Sequence, residues 1–453
     1  MLAREQPSTM QTAQDGLHAT EAPVLMTTSE SLSDAALISK IRWRLLPLMF
    51  AAYIIAYVDR VNIGFAALQM NPHLGFSATV YGLGAGVFFI GYFIFEVPSN
   101  LIMERVGARL WIARIMISWG LISAAMMFTR GPVSFYLLRF FLGVAEAGFF
   151  PGMILYLTYW FPANERARAV ALFMTANAVA GIVGGPLAGA LLTMDGMGGL
   201  EGWQWLFLFE GIPAVVVGVV VFLYLPDGPQ EARWLTPSER RRLEQRLAVE
   251  AGAAGQHRRS VRQALTDPRV WSFSWLYLAL VIGLYSISFW LPQIVKRFSG
   301  TSDLLVGLLS ALPYVFAAIG MVWIGGHSDL TGERRWHVAW PALLAAGGLL
   351  LCSFANTSGL ALAALSLAAL GIWGALGPFW AMPTAMLSRS GAAAGIAWIN
   401  AVGNLGGFVG PYAVGVLSDA TGSLTIPLGA LSSSLVIAAI LALRMPDQRR
   451  QAR

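Results

Sequence analysis

Two adjacent charges lie inside the first long apolar run of the chain. Asp59 and Arg60 interrupt residues 45–68, and this run is long enough to cross a bilayer, which needs about 20 apolar residues. A charged side chain at mid-depth costs roughly 2.5–3.5 kcal/mol. We therefore expect both side chains to face a cavity or a partner, and the pair indicates a path for an ion or a charged substrate.

A second pair of charges lies in the fourth apolar run. Arg139 is seven residues from the start of that run at Pro132, and Glu146 follows seven residues later, on the same helical face. At 1.5 Å per residue, Asp59 is about 21 Å from the start of its own run. Because the first and fourth runs start on opposite sides of the membrane, Asp59 and Arg139 reach a similar depth. The sequence predicts that these two can pair.

A buried acid beside an arginine has two stable states. It can be ionised and form a salt bridge with the arginine, or it can lose that partner and bind a proton. Burial favours the neutral acid, and a facing guanidinium favours the carboxylate. If the arginine turns to a substrate carboxylate, the acid loses its partner and takes a proton, so substrate and proton bind together. We assign proton coupling to Asp59, Glu146 and Arg139. Arg60 is the predicted substrate clamp, because a guanidinium fork can grip a carboxylate with two hydrogen bonds. The alternative is a permanent buried salt bridge.

Other polar and aromatic side chains at mid-depth are weaker candidates for substrate contacts. They are Tyr57, Asn62, Tyr285, Trp380, Asn400 and Asn404. Asn400 and Asn404 are four residues apart and share a helical face. For all six, hydrogen bonding or packing between helices is the alternative role. Two further embedded acids have other expected roles: gating or packing for Glu96, and structure for Glu210.

The elements that must position these residues are membrane helices. The chain is 57% hydrophobic and 12% charged, against roughly 25% charged in soluble domains. Apolar runs long enough to cross a bilayer recur along it and define twelve candidate spans. We place them at about 43–70, 79–103, 108–129, 132–160, 165–193, 203–225, 270–295, 304–327, 337–355, 358–386, 393–418 and 423–444. The predicted fold is an all-α membrane protein.

Basic residues are distributed unevenly between the two sides of the membrane. Of the 30 Lys and Arg, two are embedded and only Arg130, Lys296 and Arg297 fall in loops on one side, which leaves 25 on or near the other. This bias predicts that both termini are cytoplasmic, and it explains the basic excess without a nucleic-acid partner. We expect disordered cytoplasmic tails at 1–37 and 446–453. Residues 226–267 form the predicted cytoplasmic linker, with a short charged helix over 239–250.

The two halves of the chain, 38–225 and 268–445, repeat one another at a constant offset. The separation that aligns the acids Glu104 and Asp329 also aligns the glycines of two turns and the arginines Arg109 and Arg334. The same separation aligns the Gly-Pro pairs at 185–186 and 410–411. Six spans return the chain to the same side, so the repeats are parallel. Parallel repeats with a midplane site between them are typical of transporters with pseudo-twofold halves.

These turns resemble the cytoplasmic signature loop of the major facilitator superfamily. The resemblance covers about 40–445 and implies gating roles for Glu104, Arg105, Gly107, Arg109, Asp329 and Arg334. The chain departs from the common pattern at Asn100, Glu104 and Leu330. A more specific resemblance is to the anion:cation symporter family. It rests on Tyr-Val-Asp-Arg-Val-Asn at 57–62, Phe-Glu-Val-Pro-Ser-Asn at 95–100, and Arg-Phe-Phe-Leu-Gly-Val-Ala-Glu-Ala-Gly at 139–148.

That family resemblance implies proton- or sodium-coupled uptake of organic anions such as hexonates, tartrate, phthalate and other aromatic acids. The prediction is a monomeric secondary active transporter of the cell inner membrane. It takes up a small organic anion with protons by alternating access, and its partners are that anion, the coupling ion and the lipid bilayer. No cofactor, metal cluster, phosphate loop or enzyme site is expected. An efflux antiporter of the same fold and a non-transporting nutrient sensor remain the alternatives.

Overall fold

A computed structural model describes residues 28–254, 266–386 and 392–446. Within these ranges the chain is helical and contains no strand. Twelve segments are long and apolar enough to cross a membrane. The predicted all-α fold with twelve spans is therefore confirmed.

We number the spans 1 to 12 in chain order. Spans 1 to 6 are Asp34–Leu74, Ala78–Val106, Ala108–Phe128, Pro132–Thr158, Arg168–Leu192 and Gly202–Tyr224. Spans 7 to 12 are Pro268–Ser299, Asp303–Thr331, Arg335–Ser353, Ser358–Met386, Gly395–Thr421 and Thr425–Arg444. Spans 1 to 6 form the N-half and spans 7 to 12 the C-half. The linker helix, Pro237–Ala254, lies between the halves in the chain.

Three spans are built from two consecutive helices. Span 4 consists of Pro132–Glu146 and Phe149–Thr158, span 5 lies in Ala163–Met174 and Ala176–Leu192, and span 11 lies in Ala392–Asn404 and Gly406–Thr421. Short 3-10 turns occur at Met126–Phe128, Met197–Gly199 and Pro229–Glu231. We call the membrane face that carries the linker helix the linker side, and the opposite face the far side.

Local sequence signals set several span boundaries. Ser77 and Ser302 precede spans 2 and 8, and each side chain accepts a hydrogen bond from a backbone N–H of the first turn. Such N-caps satisfy donors that the helix leaves free. Spans 7 and 8 end at Gly300 and Gly332, both in the left-handed conformation that glycine adopts without a steric penalty.

The helix of span 1 begins earlier than the sequence indicated. It runs over Thr28–Leu74, so residues 28–37 of the predicted tail are helical. Asp34 is 8% exposed and pairs with two arginines of the linker helix, and Leu37 is 3% exposed. The prediction of a disordered segment up to residue 37 is therefore wrong for residues 28–37. Residues 1–27 and 447–453 lie outside the described chain.

The linker helix is attached to span 1 of the N-half. Lys40 Nζ lies 2.8 Å from Glu239 Oε2, and Asp34 pairs with Arg242 and with Arg246, the latter at 3.5 Å. The pKa of Glu239 lies below its usual value, because Lys40 and the backbone of Thr236 donate hydrogen bonds to its carboxylate. The predicted charged helix over 239–250 thus exists, is longer at both ends, and belongs to the N-half.

The halves approach each other closely through glycines on the far side. A Cβ added to Gly307 of span 8 would lie 2.4 Å from the Gly185 carbonyl oxygen of span 5. A Cβ added to Gly82 of span 2 would lie 2.4 Å from the Pro411 carbonyl oxygen of span 11. Gly82 and Gly307 are themselves related by the offset between the halves, so the repeat seen in the sequence produces two equivalent contacts.

Candidate functional site

Arg60 connects the two halves at mid-depth. Its Nε donates to Glu146 Oε1 of span 4 at 3.1 Å, and its Nη2 contacts the same oxygen. Its Nη1 donates to the Tyr285 hydroxyl of span 7 at 2.9 Å. The Arg60 side chain is 11% exposed and that of Glu146 is 1% exposed. A single guanidinium is therefore shared between an acid of the N-half and a phenol of the C-half.

Aromatic rings surround this guanidinium. Its Cζ lies 5.5 Å from the ring centroids of both Phe88 and Tyr92 of span 2, within the range of cation–π attraction. The Phe89 and Tyr285 ring centroids are 4.4 Å apart and continue the aromatic wall into the C-half. These rings exclude water from the Arg60–Glu146 pair and strengthen its electrostatic interactions.

Glu146 is the last residue of the first helix of span 4. The chain turns at Ala147 and Gly148, and Gly148 adopts the left-handed conformation with φ of 86°. A Cβ on Gly148 would lie 2.3 Å from the Ser99 hydroxyl oxygen, so glycine is required there by both conformation and space. This break was not predicted, although Gly148, two residues after Glu146 in an apolar run, was a usable signal.

Asp59 lies deeper in the N-half and has different partners from Arg60. Its Oδ1 accepts a hydrogen bond from Asn62 Nδ2 at 3.1 Å and another from the Ser123 hydroxyl of span 3. Its Oδ2 is buried without a hydrogen-bond partner in the described chain. Adjacent residues point about 100° apart on a helix, which accounts for the different surroundings of Asp59 and Arg60.

Arg139 is fully buried and bonded to backbone. Its Nε and Nη2 donate to the carbonyl oxygens of Gly84 and Ala85 of span 2, at 3.3 and 3.1 Å. It forms no ion pair among the described residues, and its Nη1 has no hydrogen-bond partner there. The predicted pairing of Asp59 with Arg139 is therefore wrong in this conformation, because span 2 carbonyls hold the arginine while Ser123 and Asn62 hold the acid.

The other predicted substrate residues form two groups. Tyr57 and Tyr285 line the boundary between the halves, where the Tyr57 hydroxyl lies 3.5 Å from Ser288 Oγ of span 7. Asn62 is bonded to Asp59 inside the N-half, away from that boundary. The structure thus brings Tyr57, Arg60 and Tyr285 together and separates Asn62 from them.

The second group lies toward the linker side. Asn400 Nδ2 donates to Glu96 Oε1 at 2.8 Å, which joins span 11 to span 2 across the halves. The Trp380 ring contacts Tyr277, with ring centroids 4.8 Å apart. Asn404 is half-buried at the end of the helix Ala392–Asn404. A further side-chain contact between the halves, from Trp373 Nε1 to Asn177 Oδ1 at 3.0 Å, was not predicted from the sequence.

The turn between spans 8 and 9 contains the acid–arginine contact that its sequence suggested. Arg334 Nη1 donates to Asp329 Oδ1 at 2.6 Å and to the Ser328 hydroxyl at 2.9 Å. This contact lies within the C-half on the linker side. The gating role of these residues remains a prediction.

The equivalent turn between spans 2 and 3 uses a different acid. Gly107 has φ of 93°, and the backbone N–H of Arg109 donates to Asp227 Oδ1 at 2.7 Å. Asp227 also lies 3.7 Å from Arg109 Nε. Glu104 and Arg105 are exposed and form no ion pair within the described ranges. An acid just beyond span 6, which the sequence analysis did not single out, therefore occupies the position next to Arg109.

Among the residues that the structure describes, no three His, Cys, Asp or Glu side chains are grouped so as to hold a metal ion. The site is thus built from charged, amide and aromatic side chains of spans 1, 2, 4 and 7. This set can bind an anion and hold or release a proton.

Comparisons with known proteins agree with this architecture. A relative from Agrobacterium vitis named "Putative tartrate transporter" is 51% identical over 410 residues, covering 90% of this chain and 91% of the relative. A "Quinolone resistance transporter" from Acinetobacter baumannii is 42% identical over 405 residues, covering 89% of this chain and 93% of the relative. Both similarities extend over nearly the whole chain.

A solved structure and a family profile also match most of the chain. The crystal structure of a bacterial homologue of the human lysosomal transporter Spinster, in an inward-facing and occupied conformation, superposes with a TM-score of 0.74. It is 19% identical and covers 89% of this chain and 96% of its own. The profile of the Major Facilitator Superfamily matches residues 49–411. The chain is therefore a multi-pass membrane transporter that belongs to the major facilitator superfamily.

Proposed function

We propose that this transporter takes up a small organic anion together with protons by alternating access. It works in the cell inner membrane as a monomer, with the linker side facing the cytoplasm. The observation that carries the proposal is the position of Arg60, which bonds to Glu146 of one half and to Tyr285 of the other. An anion that binds Arg60 would compete with both contacts.

The coupling of anion and proton follows from this competition. While Arg60 faces Glu146, the acid can remain ionised in a buried place, because a cation and a hydrogen bond stabilise it. A substrate carboxylate that takes the Arg60 donors leaves Glu146 with 1% of its side chain exposed and no counter-charge. The acid then takes a proton. Substrate and proton are bound together, and neither is favoured alone.

Alternating access is supported by the contacts between the halves. The backbone approaches at Gly82 and Gly307 close the far side. Arg60 and Tyr285 meet at mid-depth, where a bound anion would touch both halves. Rocking of one half against the other around such a site is the mechanism expected of parallel repeats.

The substrate class is a hydroxylated or aromatic carboxylate. An arginine supplies a bidentate partner for the carboxylate, and the hydroxyl of Tyr57 together with the ring of Tyr92 can contact the rest of the molecule. The relative named for tartrate supports a sugar-acid or tartrate-like anion. Sodium could serve in place of the proton, and the transport assay below separates the two.

Export of a drug-like compound is the second candidate function. It is favoured by the 42% identical relative named for quinolone resistance. A quinolone carries a carboxylate and an aromatic system, so the same site chemistry could serve an antiporter. The two functions differ in the direction of proton movement. In uptake by symport the protons move with the anion, and in export by antiport they move against the exported compound.

The test uses purified protein in proteoliposomes with an imposed gradient. We expect radiolabelled tartrate, or another member of a panel of sugar acids and aromatic acids, to accumulate when protons flow in the same direction. A protonophore should abolish accumulation, and replacing sodium with potassium should have no effect. Accumulation driven by ATP alone, or indifference to both ion gradients, would refute symport. Movement of a quinolone against the proton flow would establish the export function instead.

A further inference from the structure

Glu210 is a buried acid that the proposed function does not use. It lies in span 6 and is 3% exposed. Neither carboxyl oxygen makes a hydrogen bond of good geometry in the described chain, and no lysine or arginine there pairs with it. An ionised carboxylate in such a place carries a large desolvation cost. The presence of an acid at position 210 therefore needs an explanation.

Close packing of spans 3 and 6 positions Glu210 behind Asp59. A Cβ on Gly211 would lie 2.7 Å from both Ala124 N and the Gly120 carbonyl oxygen of span 3. This backbone contact occurs at the level of Ser123, whose hydroxyl donates to Asp59. Asp59 of span 1 is a charged side chain that acts on Glu210 through space, and the Asn62 side chain lies beside both acids.

The charged side chains around Asp59 and Glu210 can be summed to give the net charge of this region. From span 4, Arg139 acts on Asp59 but forms no ion pair among the described residues, and it is 0% exposed. Glu146, also of span 4, is engaged by Arg60. Arg139 therefore contributes one uncompensated positive charge to this region, against two acids. The region is neutral when Asp59 and Glu210 together hold one proton.

We propose that Asp59 and Glu210 share one proton and act together as the counter-ion of Arg139. In one form Asp59 is ionised and Glu210 carries the proton on a carboxyl oxygen. In the other form that O–H bond is broken, Asp59 holds the proton and Glu210 carries the negative charge. The net charge is the same in both forms, so Asp59 can become protonated without leaving Arg139 unbalanced. Interacting acids of this kind titrate as a pair.

The first test is a double-mutant cycle on stability and needs no transport. Asp59→Asn or Glu210→Gln alone leaves one acid to balance Arg139, so each should lower the melting temperature only slightly. The double variant leaves a buried charge unbalanced, and its melting temperature should fall about 5–10 °C below the sum of the single effects. Adding Arg139→Gln should recover most of that loss. Additive effects, or no recovery in the triple variant, would overturn the proposal.

The matched control is Glu201→Gln, the same chemical change at the partly exposed N-cap just before span 6. Combined with Asp59→Asn, it should give an additive effect on melting temperature. Additivity is the norm for sites without shared partners.

The second test is the pH dependence of uptake, and it rests on the proposed function and on the proton-coupling role predicted for Asp59. In Glu210→Gln, protonation of Asp59 needs a new proton and unbalances Arg139. The midpoint of uptake should therefore move about one pH unit lower, while Glu201→Gln keeps the parent midpoint. An unchanged midpoint in a folded Glu210→Gln variant would overturn the shared proton. If the parent accumulates no anion, the proposed function fails, and the stability cycle still decides the role of Glu210.

Discussion

Replacing Arg60 with lysine tests whether its guanidinium binds the anion. Lysine keeps a positive charge near Glu146, so the acid retains a counter-charge and the fold should persist. It loses the planar fork that donates to Glu146 and Tyr285 in the free protein. A carboxylate that used this fork would keep one contact out of two.

The size of the effect follows from the lost contact. A hydrogen bond to a charged group contributes roughly 1.5–3 kcal/mol. Loss of one such bond predicts an affinity reduced about ten- to a hundredfold. Arg60→Ala should weaken binding further, since Glu146 also loses its partner.

Isothermal titration of the purified protein with a panel of carboxylates measures these affinities directly. Arg44→Lys is the matched control, because Arg44 lies on the same helix, is exposed, and contacts only the Tyr224 ring among the contacts described. It precedes Arg60 by more than four helical turns, or about 24 Å along the axis, and its substitution should leave affinity unchanged. Melting temperatures of all variants show whether each protein is folded.

Unchanged affinity in folded Arg60→Lys and Arg60→Ala would refute the clamp. The anion-binding role would then pass to Arg139, the other embedded arginine. A loss of affinity in Arg44→Lys of similar size would point to a general effect of arginine removal on the protein.

Four other substitutions test separate parts of the structure. Glu146→Gln should abolish accumulation driven by a proton gradient yet retain counterflow of labelled substrate, because exchange moves no net proton; loss of both would contradict a coupling role. Tyr285→Phe removes a neutral partner that competes with the anion for Arg60 and should raise affinity about two- to tenfold by titration, a smaller change than the loss in Arg60→Lys. Gly148→Ala forces a left-handed alanine against Ser99 and should lower the melting temperature by several degrees, whereas Gly429→Ala, with open space around its Cβ position, should not. Gly307→Leu should block closure of the far side and reduce uptake, while labelling of a cysteine placed on that side increases; normal uptake would show that the close approach is dispensable.

The sequence predicted the architecture well because membrane insertion leaves few choices. Each span must satisfy its own backbone hydrogen bonds, so apolar length alone located twelve helices. The constant offset between the halves also carried three-dimensional information, since Gly82 and Gly307 make equivalent contacts. The start of span 1 was misplaced because residues 28–37 are mostly polar, and the ion pairs that hold Asp34 against the linker helix are tertiary contacts.

The partners within the site were harder to predict. Depth along the helices grouped Asp59, Arg60, Arg139 and Glu146 in the prediction, but depth does not specify rotation about a helix axis. Arg139 turned out to bond to span 2 carbonyls and Arg60 to take Glu146. Tertiary contacts such as Ser123 with Asp59 depend on the packing of span 3, which no local pattern encodes.

The attachment of the linker helix has a practical consequence for dissecting the protein. The three ion pairs described above join this helix to residues of span 1, and Leu243 of the helix is buried. A gene divided after the codon for Ala254 would therefore leave the helix with the fragment on which it packs. The two polypeptides could be synthesised separately and reassemble in the bilayer, since the contacts described between them are noncovalent. A split of this kind offers a place to fuse reporters without disturbing either bundle.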